Sequence, residues 1–551
     1  MFSPSLISIM WHTLQAQVDA PITERQKASY KNTEDIAARF RFELNALKDR
    51  VVIWPTVPVV GYSTSFQAME VIGPSFLQSG FGNFPRSFWG RVPIDRLVTY
   101  FEQRQEVPAE DEFFDVGTTL VDHQHAALPF HLYANQMAQT AQNPKVQVAI
   151  IDRGVTPNVI PHTPHDFNSK LKHAVTDVEF DGHALEVLSV ILDRLYRHAI
   201  LPEVEMHCAL VKPSKNGQIG LHCFKHANSV ELCDAVQALD RSVRGGTLPL
   251  AINLSMGTHV GPHNGDSPLE EAIRQFVAAG PNRYFHASAG NDGLSGLAAK
   301  RILLANVRDF LKVRVGPPAT ALLVEFWTED VPNAAFSIEV RASNTLQKRF
   351  LFPDIRINTG QAGPTLTGTT QQVSGTVCQS LFHARCRNSM NCAAFAITAV
   401  AGNLPSMDLE FTLEAATDLV VNGWITVCDN PIATFLEGGP EGTISVPASD
   451  PAVLSVAGID ANGQPWSRSS RGPTITYQPQ SGTTPTVPYL AGPVALGTGA
   501  KEGTSYASPR ACADTANLLR SQQFASVAAL AQAIVKTTRP WNPRTGYGHI
   551  V

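Results

Sequence analysis

The chain of 551 residues has little excess charge, few cysteines and no long apolar run. Its net charge of −5 is small for this length, which excludes the basic surface typical of nucleic-acid binding. Since no apolar run reaches the roughly 18–20 residues of a membrane span, we expect neither a nucleic-acid nor a membrane partner. With 44% hydrophobic and 17% charged residues, the composition indicates a globular protein with at least one large core.

The eight cysteines are too few for a disulfide scaffold, and none forms a CxxC pair. Cys208 and Cys512 lie among apolar residues, as buried thiols do. Cys378, Cys386 and Cys392 cluster at irregular spacing, which favours a disulfide or reduced thiols over a metal site. This pattern weakly favours a reducing compartment.

The first twenty residues, "MFSPSLISIMWHTLQAQVDA", carry no Lys or Arg before their apolar part. This favours an ordinary N-terminal segment over a signal peptide. We therefore predict a cytoplasmic protein, with secretion as the alternative.

Residues 146–298 alternate strand and helix patterns. The strand candidates are "VQVAIID", "LPLAINLS" and "YFHASAGN", and the helix candidates are "ALEVLSVILDRLY" and "PLEEAIRQFVAAG". The alternation resumes after about residue 440, and it predicts an α/β fold with a doubly wound, mostly parallel sheet.

Residues from about 300 to 430 show period-two strands instead: "ALLVEFWTE", "FSIEVRA" and "MDLEFTLEA". We interpret them as an antiparallel β-sandwich inserted in the α/β domain, away from Asp152, His183, Asn291 and Ser505 and with its two ends close together. The predicted divisions are an N-terminal α+β region (1–140), a first α/β part (141–300), the insert (301–430) and a second α/β part (431–551).

Four polar residues stand where buried elements end or begin. Asp152 follows an apolar strand, His183 begins a helix, Asn291 follows "HASAG", and Ser505 lies in "GTSYASP" before an Ala-rich helix. Each alone has a plain structural explanation, as a cap, a turn or a core residue. Together they supply a nucleophile, a base, a residue that orients the base and an oxyanion donor.

These motifs resemble those of the subtilases, the subtilisin-like serine peptidases. "GTSYASP" and "HASAGNDG" match the family's nucleophile and oxyanion motifs, and "AIIDRGV" is similar to its Asp motif. The order Asp…His…Ser is also that of subtilisin, and the chain has no G-x-S-x-G motif of a lipase-like hydrolase. The His motif departs most, since Ala184 and Leu185 replace Gly-Thr and Glu186 replaces a second His. Arg153 likewise stands where Ser or Thr is usual.

The resemblance implies a serine endopeptidase with a triad of Asp152, His183 and Ser505, and with Asn291 as oxyanion donor. It implies that an extended protein or peptide substrate binds at two segments, Ser255, Met256 and Gly257 in "AINLSMG" and Ser288, Ala289 and Gly290 in "HASAG". No metal or organic cofactor is expected, and a regulatory partner protein is left open. The altered His motif leaves a different class as the alternative: a catalytically silent subtilase fold that binds or scaffolds.

Two further regions resemble parts of known subtilases. The insert resembles the jelly-roll domain of some bacterial subtilases. "GRVPIDRLVTYFEQ" resembles the end of a subtilase propeptide, with an unrelated regulatory domain as an equal alternative.

Overall fold

The computed structural model describes parts of the first 129 residues and most of the chain from residue 130 onwards. The described residues are 10, 29–30, 38, 40–42, 44–45, 47, 51, 53–62, 72–73, 75–79, 87–103, 109–110, 113–114, 130–138, 143–155, 167, 169–174, 179–180, 182–211, 227–243, 246–265, 267–280, 282–316, 321–329, 335–344, 349–351, 355–358, 366–373, 376–387, 390–399, 404, 406–427, 433–473, 487–496, 501–535 and 540–550.

The N-terminal region mixes short strands and helices. Its elements are β1 Ser29–Tyr30, β2 Thr56–Tyr62, β3 Leu77–Ser79, β4 Ser87–Pro93, α1 Ile94–Gln103, β5 Ala109–Glu110, β6 Phe113–Phe114 and α2 Phe130–Ala138. Four of the strands form an antiparallel sheet in the order β3–β4–β2–β5.

The first α/β part alternates strands and helices as predicted. Its elements are β7 Val146–Val155, β8 Lys172–His173, β9 Glu179–Phe180, α3 Gly182–Arg197, a 3₁₀ turn at Leu201–Glu203, β10 Val204–Val211, β11 Ala227–Asn228, α4 Ser229–Val243, β12 Leu250–Leu254, α5 Pro268–Ala278 and β13 Arg283–Ser288. Local sequence sets one boundary clearly: Ser267 caps α5, and Glu270 completes a reciprocal capping box.

The insert consists of strands. They are β14 Ala298–Leu303, β15 Asp309–Val315, β16 Ala321–Glu329, β17 Ala335–Asn344, β18 Arg349–Leu351, β19 Ile355–Asn358, β20 Leu366–Val373, β21 Thr376–Arg387, β22 Met390–Ala399, β23 Met407–Ala415, β24 Leu419–Val427 and β25 Ala433–Phe435. The chain then returns to the α/β part with β26 Val453–Ile459, β27 Leu490–Pro493, β28 Ala495–Leu496, β29 Lys501–Glu502, α6 Thr504–Leu519 and α7 Val527–Ile534.

The α/β part is built on a parallel sheet. Within the described residues, its parallel strands follow the order β27–β26–β13–β12–β7–β10–β8, and β9 pairs antiparallel with the end of β7. The central strands are buried along their length, as expected for a parallel sheet that is covered on both faces. The predicted α/β fold class is confirmed.

The strands of the insert form two antiparallel sheets that pack together. One has the order β1–β20–β21–β22–β16–β24–β14, and the other has the order β18–β17–β23–β15–β25, with β19 beside β17. Phenylalanines from both sheets meet in the shared core, where the ring centroids of Phe326 and Phe411 lie 4.9 Å apart. The predicted antiparallel sandwich is therefore present, and the N-terminal β1 adds a strand to it.

Strand β16 shows where the period-two prediction for "ALLVEFWTE" is incomplete. Leu322, Val324 and Phe326 belong to the sandwich core, but the alternate residues Leu323 and Trp327 are also buried. They pack with Val260 from the α/β part, so the strand is covered on both faces.

The two ends of the insert meet, as chain closure predicts. Ala298 forms an antiparallel bridge with Gly439, whose N–H donates to the Ala298 carbonyl at 3.2 Å. The four domain boundaries themselves stay predictions.

The described parts of the chain answer some of the composition-based expectations. Cys208 and Cys512 are buried free thiols, and Cys392 is buried on β22. The side chains of Cys378 and Cys386 lie outside the described residues. None of the described helices combines the length and apolar character that a membrane span requires.

Candidate active site

Asp152 lies on β7, between β10 and β12 at the centre of the parallel sheet. Its side chain is fully buried. The Oδ1 atom accepts hydrogen bonds from the backbone N–H of Arg153 at 2.7 Å and from His183 Nδ1 at 2.9 Å. A buried carboxylate requires such partners, because desolvation without them is costly.

His183 is the second residue of α3, and its side chain is only 4% exposed. Since the Asp152 carboxylate can only accept, Nδ1 carries the proton in this contact. With Nδ1 protonated, the neutral form of the imidazole carries its lone pair on Nε2, which is the form that a general base requires.

Ser505 is the second residue of α6, so its N–H belongs to the first helical turn, where amides have no partner within the helix. Pro509 lacks the N–H that would bond to the carbonyl of Ser505 four residues earlier. That carbonyl instead accepts a hydrogen bond from Ser255 Oγ at 2.9 Å. Because Pro509 leaves the Ser505 carbonyl without a donor from the helix, Ser255 can bind that carbonyl.

A buried polar network continues from Ser255 into the sheet. Asn253 Nδ2 donates to Ser255 Oγ at 3.0 Å, and Ser508 Oγ donates to Asn253 Oδ1 at 2.7 Å. The end of β12 and the first turns of α6 are thereby joined. The Ser255 side chain positions the segment around Ser505. The sequence predicts only a substrate-binding role for Ser255.

Asn291 follows β13 and is fixed by the residue before the nucleophile. Its Oδ1 accepts from both the N–H and the Oγ1 of Thr504, each at 2.9 Å. The amide nitrogen of Asn291 therefore remains as the donor end of the side chain. A Cβ built on Gly503 would lie 3.6 Å from Asn291 Nδ2 and 3.8 Å from Ser505 N, so both nitrogens border the same small space.

The structure thus brings the predicted chemical groups together in pairs. Asp152 bonds to His183, and Asn291 bonds to the residue before Ser505. The His183 ring lies 6.5 Å, centroid to centroid, from the ring of Tyr506, which follows Ser505. His183 and Asn291 therefore both lie next to the segment that carries Ser505.

The second predicted substrate segment is already bonded within the protein. The Ala289 N–H donates to the Val456 carbonyl at 2.9 Å, and the Ala289 carbonyl accepts from Ser445 N at 3.0 Å. Gly290 donates to Thr504 Oγ1 at 3.2 Å, and its φ of 110° suits glycine. Ser288 is the last residue of β13 and is buried.

The first predicted substrate segment leads into a loop that contacts the sandwich. Met256 is buried, Gly257 follows it, and Thr258 then pairs with Val446. The next residues, 259–264, lie against the outer face of the seven-stranded sheet, where Gly261 N donates to Glu325 Oε2 at 2.8 Å. The insert therefore contacts a loop that follows the predicted substrate segment, and its separation from the four predicted catalytic residues stays a prediction.

Two histidines fix this loop: His259 contacts the residue after Asn291, and His263 contacts the sandwich. His259 Nε2 contacts Asp292 Oδ2 at 2.9 Å, directly after Asn291. His263 stacks on the Trp424 indole of β24, with centroids 4.3 Å apart. Burial lowers the pKa of His263 to about 3, so this ring is neutral. The cluster of histidines in "GTHVGPHNG" was the sequence signal for this contact.

The sequence of residues 362–549, which includes Ser505, matches the model of the Subtilase family. Structures similar in fold include the CspB protease of Clostridium perfringens, at 16% identity and a TM-score of 0.55, covering 76% of this chain and 94% of that one. A lanthipeptide protease matches at 14% identity with a TM-score of 0.31, covering 78% and 95% of the two chains. The serine protease MycP1, an essential component of the type VII (ESX-1) secretion system, matches at 13% with a TM-score of 0.28, covering 80% and 90%. No curated protein matches the sequence.

The parallel sheet carries Asp152, the helix after the insert carries Ser505, and the family model covers that second part. The resemblance to the subtilases is thereby supported: residues 362–549 match the family's model, and the fold is similar to that of the CspB protease.

Proposed function

We propose that the protein is a serine endopeptidase. The observation that carries this proposal is the buried hydrogen bond between Asp152 Oδ1 and His183 Nδ1, beside the helix whose second residue is Ser505. His183 Nε2 accepts the Ser505 hydroxyl proton as Ser505 Oγ attacks a peptide carbonyl, and an acyl-enzyme forms when the proton passes to the leaving amine. Water then attacks the ester with His183 again as base, releasing the acid and restoring Ser505.

Asn291 and the Ser505 backbone are the oxyanion donors in this proposal. Thr504 occupies the carbonyl end of the Asn291 side chain, which supports a role for Nδ2 as donor. Such a preorganised donor contributes about 2.7–4 kcal/mol to lowering the barrier.

The proposed substrate is an extended protein or peptide that binds along Ser255, Met256 and Gly257. Backbone pairing gives affinity for extended chains of varied sequence. The backbone groups of Ala289 and Gly290 are bonded internally. We therefore assign the segment Ser288–Gly290 to the wall of the site rather than to strand pairing.

Labelling with a fluorophosphonate probe tests the proposal, since the reaction requires an activated serine. The wild-type protein and Ser521→Ala, a surface serine control, should label, and Ser505→Ala should not. Casein cleavage should follow the same pattern. A folded wild-type protein that neither labels nor cleaves casein would establish the catalytically silent alternative.

For the N-terminal region we propose a propeptide-like role. Its strand β4 contacts helix α4, where Trp89 Nε1 donates to Asp234 Oδ1 at 2.8 Å and Arg91 pairs with Glu231. These contacts tie the region to the catalytic part. Mass spectrometry of the purified chain should show a cut near residues 130–145 that is absent in Ser505→Ala; an intact wild-type chain would favour a permanent regulatory domain.

A further inference from the structure

Glu186 is a buried acidic residue one turn after His183 on α3. Its position is one of the three at which the sequence departs from the His motif of the subtilases. A carboxylate with so little exposure requires compensating partners, because burial alone disfavours the charge.

Both Glu186 oxygens have partners that flank the nucleophile. Lys501 Nζ, four residues before Ser505, forms an ion pair with Oε1. The Tyr506 hydroxyl, one residue after Ser505, donates to Oε2 at 2.7 Å. Burial and the adjacent Glu186 raise the pKa of Tyr506, so its hydroxyl remains a donor.

The residues between Lys501 and Ser505 are held by other elements. Glu502 Oε2 accepts from Trp466 Nε1 at 3.2 Å, Gly503 N donates to the Val494 carbonyl at 3.0 Å, and Thr504 bonds to Asn291. These contacts fix the segment to the sheet and to the oxyanion side. The contacts of Lys501 and Tyr506 with Glu186 join this segment to α3, the helix that carries His183. Farther along the same two helices, Arg194 of α3 pairs with Asp514 of α6.

We propose that Glu186 is a positioning residue for the peptidase reaction, holding Ser505 at reacting distance from His183 through Lys501 and Tyr506. This inference rests on the proposed function. The base and the nucleophile lie on different helices, α3 and α6, separated by the whole insert in sequence. One carboxylate that binds both sides of the nucleophile limits relative motion of the two helices. A displacement of about 1 Å at such a site costs on the order of 10²-fold in rate.

The effect should fall on kcat and not on KM, because the described hydrogen bonds of the Glu186 side chain go to Lys501 and Tyr506 and not to the proposed substrate segment 255–257. We expect Glu186→Ala to lower kcat and the rate of fluorophosphonate labelling roughly 10- to 100-fold, with KM within about two-fold. Tyr506→Phe removes one contact and should have a smaller effect of the same kind. Glu186→Gln retains an acceptor for the Tyr506 hydroxyl and should restore part of the rate. Asp193→Asn changes an exposed ion pair on the same helix and should leave all rates unchanged.

Two readouts separate this inference from the proposed function. Labelling of the wild-type protein tests the function. The low-field proton resonance of His183 Nδ1–H tests the positioning even if no variant labels, and it should shift or broaden in Tyr506→Phe but not in Asp193→Asn. If Glu186→Ala does not fold, Tyr506→Phe decides. Wild-type labelling rates and an unchanged His183 resonance in Tyr506→Phe and Glu186→Gln would overturn the inference.

Discussion

The parallel sheet and the β-sandwich each bury a carboxylate on an interior strand, but they surround it differently. Asp152 on β7 has a titratable partner, His183, which lies beside the nucleophile's helix. Glu325 on β16 instead accepts from the Gly261 N–H at 2.8 Å and from Trp327 Nε1 at 3.3 Å. The first carboxylate orients the proposed base, whereas the second joins the sandwich to a loop of the α/β part.

This difference predicts that substitutions around the two carboxylates have different effects on reaction rate and on stability. Changes around Asp152 should lower rates and leave the folded structure largely intact, because its partner acts on the substrate. Changes around Glu325 should mainly alter the stability of the fold. They should alter rates only through the loop 258–264, which follows Gly257 and includes His259, the partner of Asp292. Variants in the two regions test whether effects on rate and effects on stability are separate in this way.

The largest effect is expected for Asp152→Asn. An amide at this position allows the wrong tautomer of His183, and the corresponding change in a serine protease of another fold lowers kcat by about 10⁴. Steady-state kinetics with a peptide substrate measures this, and the melting temperature provides the control because it should change little. A loss below tenfold would contradict the assignment of Asp152.

Asn291→Ala should follow, with kcat lowered by roughly 10²–10³ and KM little changed. The reason is that an oxyanion donor acts on charge that develops only in the transition state. Thr504→Ser is the matched control, since it keeps the hydroxyl that orients the Asn291 side chain. A change confined to KM would show that Asn291 only shapes the pocket.

The sequence was sufficient for the α/β fold and for the sandwich. Continuous apolar runs such as "VQVAIID" and the alternation of "MDLEFTLEA" are local patterns, and the strands β7 and β23 follow them. The resemblance also selected the four residues that the structure brings together in pairs. Their roles stay predictions.

The contacts between distant segments could not be predicted. The second buried face of β16 depends on Val260, and the partners of Glu186 lie more than 300 residues later in the chain. A period-two pattern describes a strand and one core, and it contains no information about a loop that covers the opposite face. The departure of Glu186 from the His motif was visible in the sequence, but its pairing with Lys501 and Tyr506 was not.

Trp424→Ala tests whether the sandwich influences the site. Trp424 is buried, stacks on His263 and donates through Nε1 to the Gly442 carbonyl at 2.9 Å. Its truncation should cost about 3–5 kcal/mol of stability. Because the loop 258–264 loses its support, kcat/KM should also fall, by roughly two- to thirty-fold if coupling of this kind has its usual size of 0.5–2 kcal/mol.

Phe411→Ala is the control for this variant. Phe411 lies in the sandwich core between the two sheets, so its truncation should destabilise the sandwich to a similar degree. Thermal unfolding and steady-state kinetics on both variants, at a temperature where each is folded, separate stability from rate. Equal kcat/KM values for the two variants would show that the sandwich and the site are independent.

The smallest effect concerns the pH dependence contributed by Glu325. Burial raises the pKa of Glu325 from 4.5 to about 7, and the bonds from Gly261 and Trp327 only partly oppose this. A raised pKa in the folded state means that its contribution to stability is fully present below pH 4.5 and is lost as the pH rises through about 7, amounting to at most about 3 kcal/mol. Glu270 and Asp450, whose pKa values burial raises to about 7 and about 6, act in the same direction. The buried His263 and His286, whose pKa values burial lowers to about 3 and about 4, act in the opposite direction, so the test compares the variant with the wild-type protein. Glu325→Gln resembles the protonated acid and should reduce the difference in unfolding free energy between pH 5 and pH 8 while leaving the share of Glu270 and Asp450 unchanged.

Denaturant unfolding of the wild-type protein and of Glu325→Gln at pH 5 and pH 8 measures this difference. Identical pH dependence in wild type and Glu325→Gln would mean that Glu325 keeps its charge in the folded state, and this prediction would be wrong.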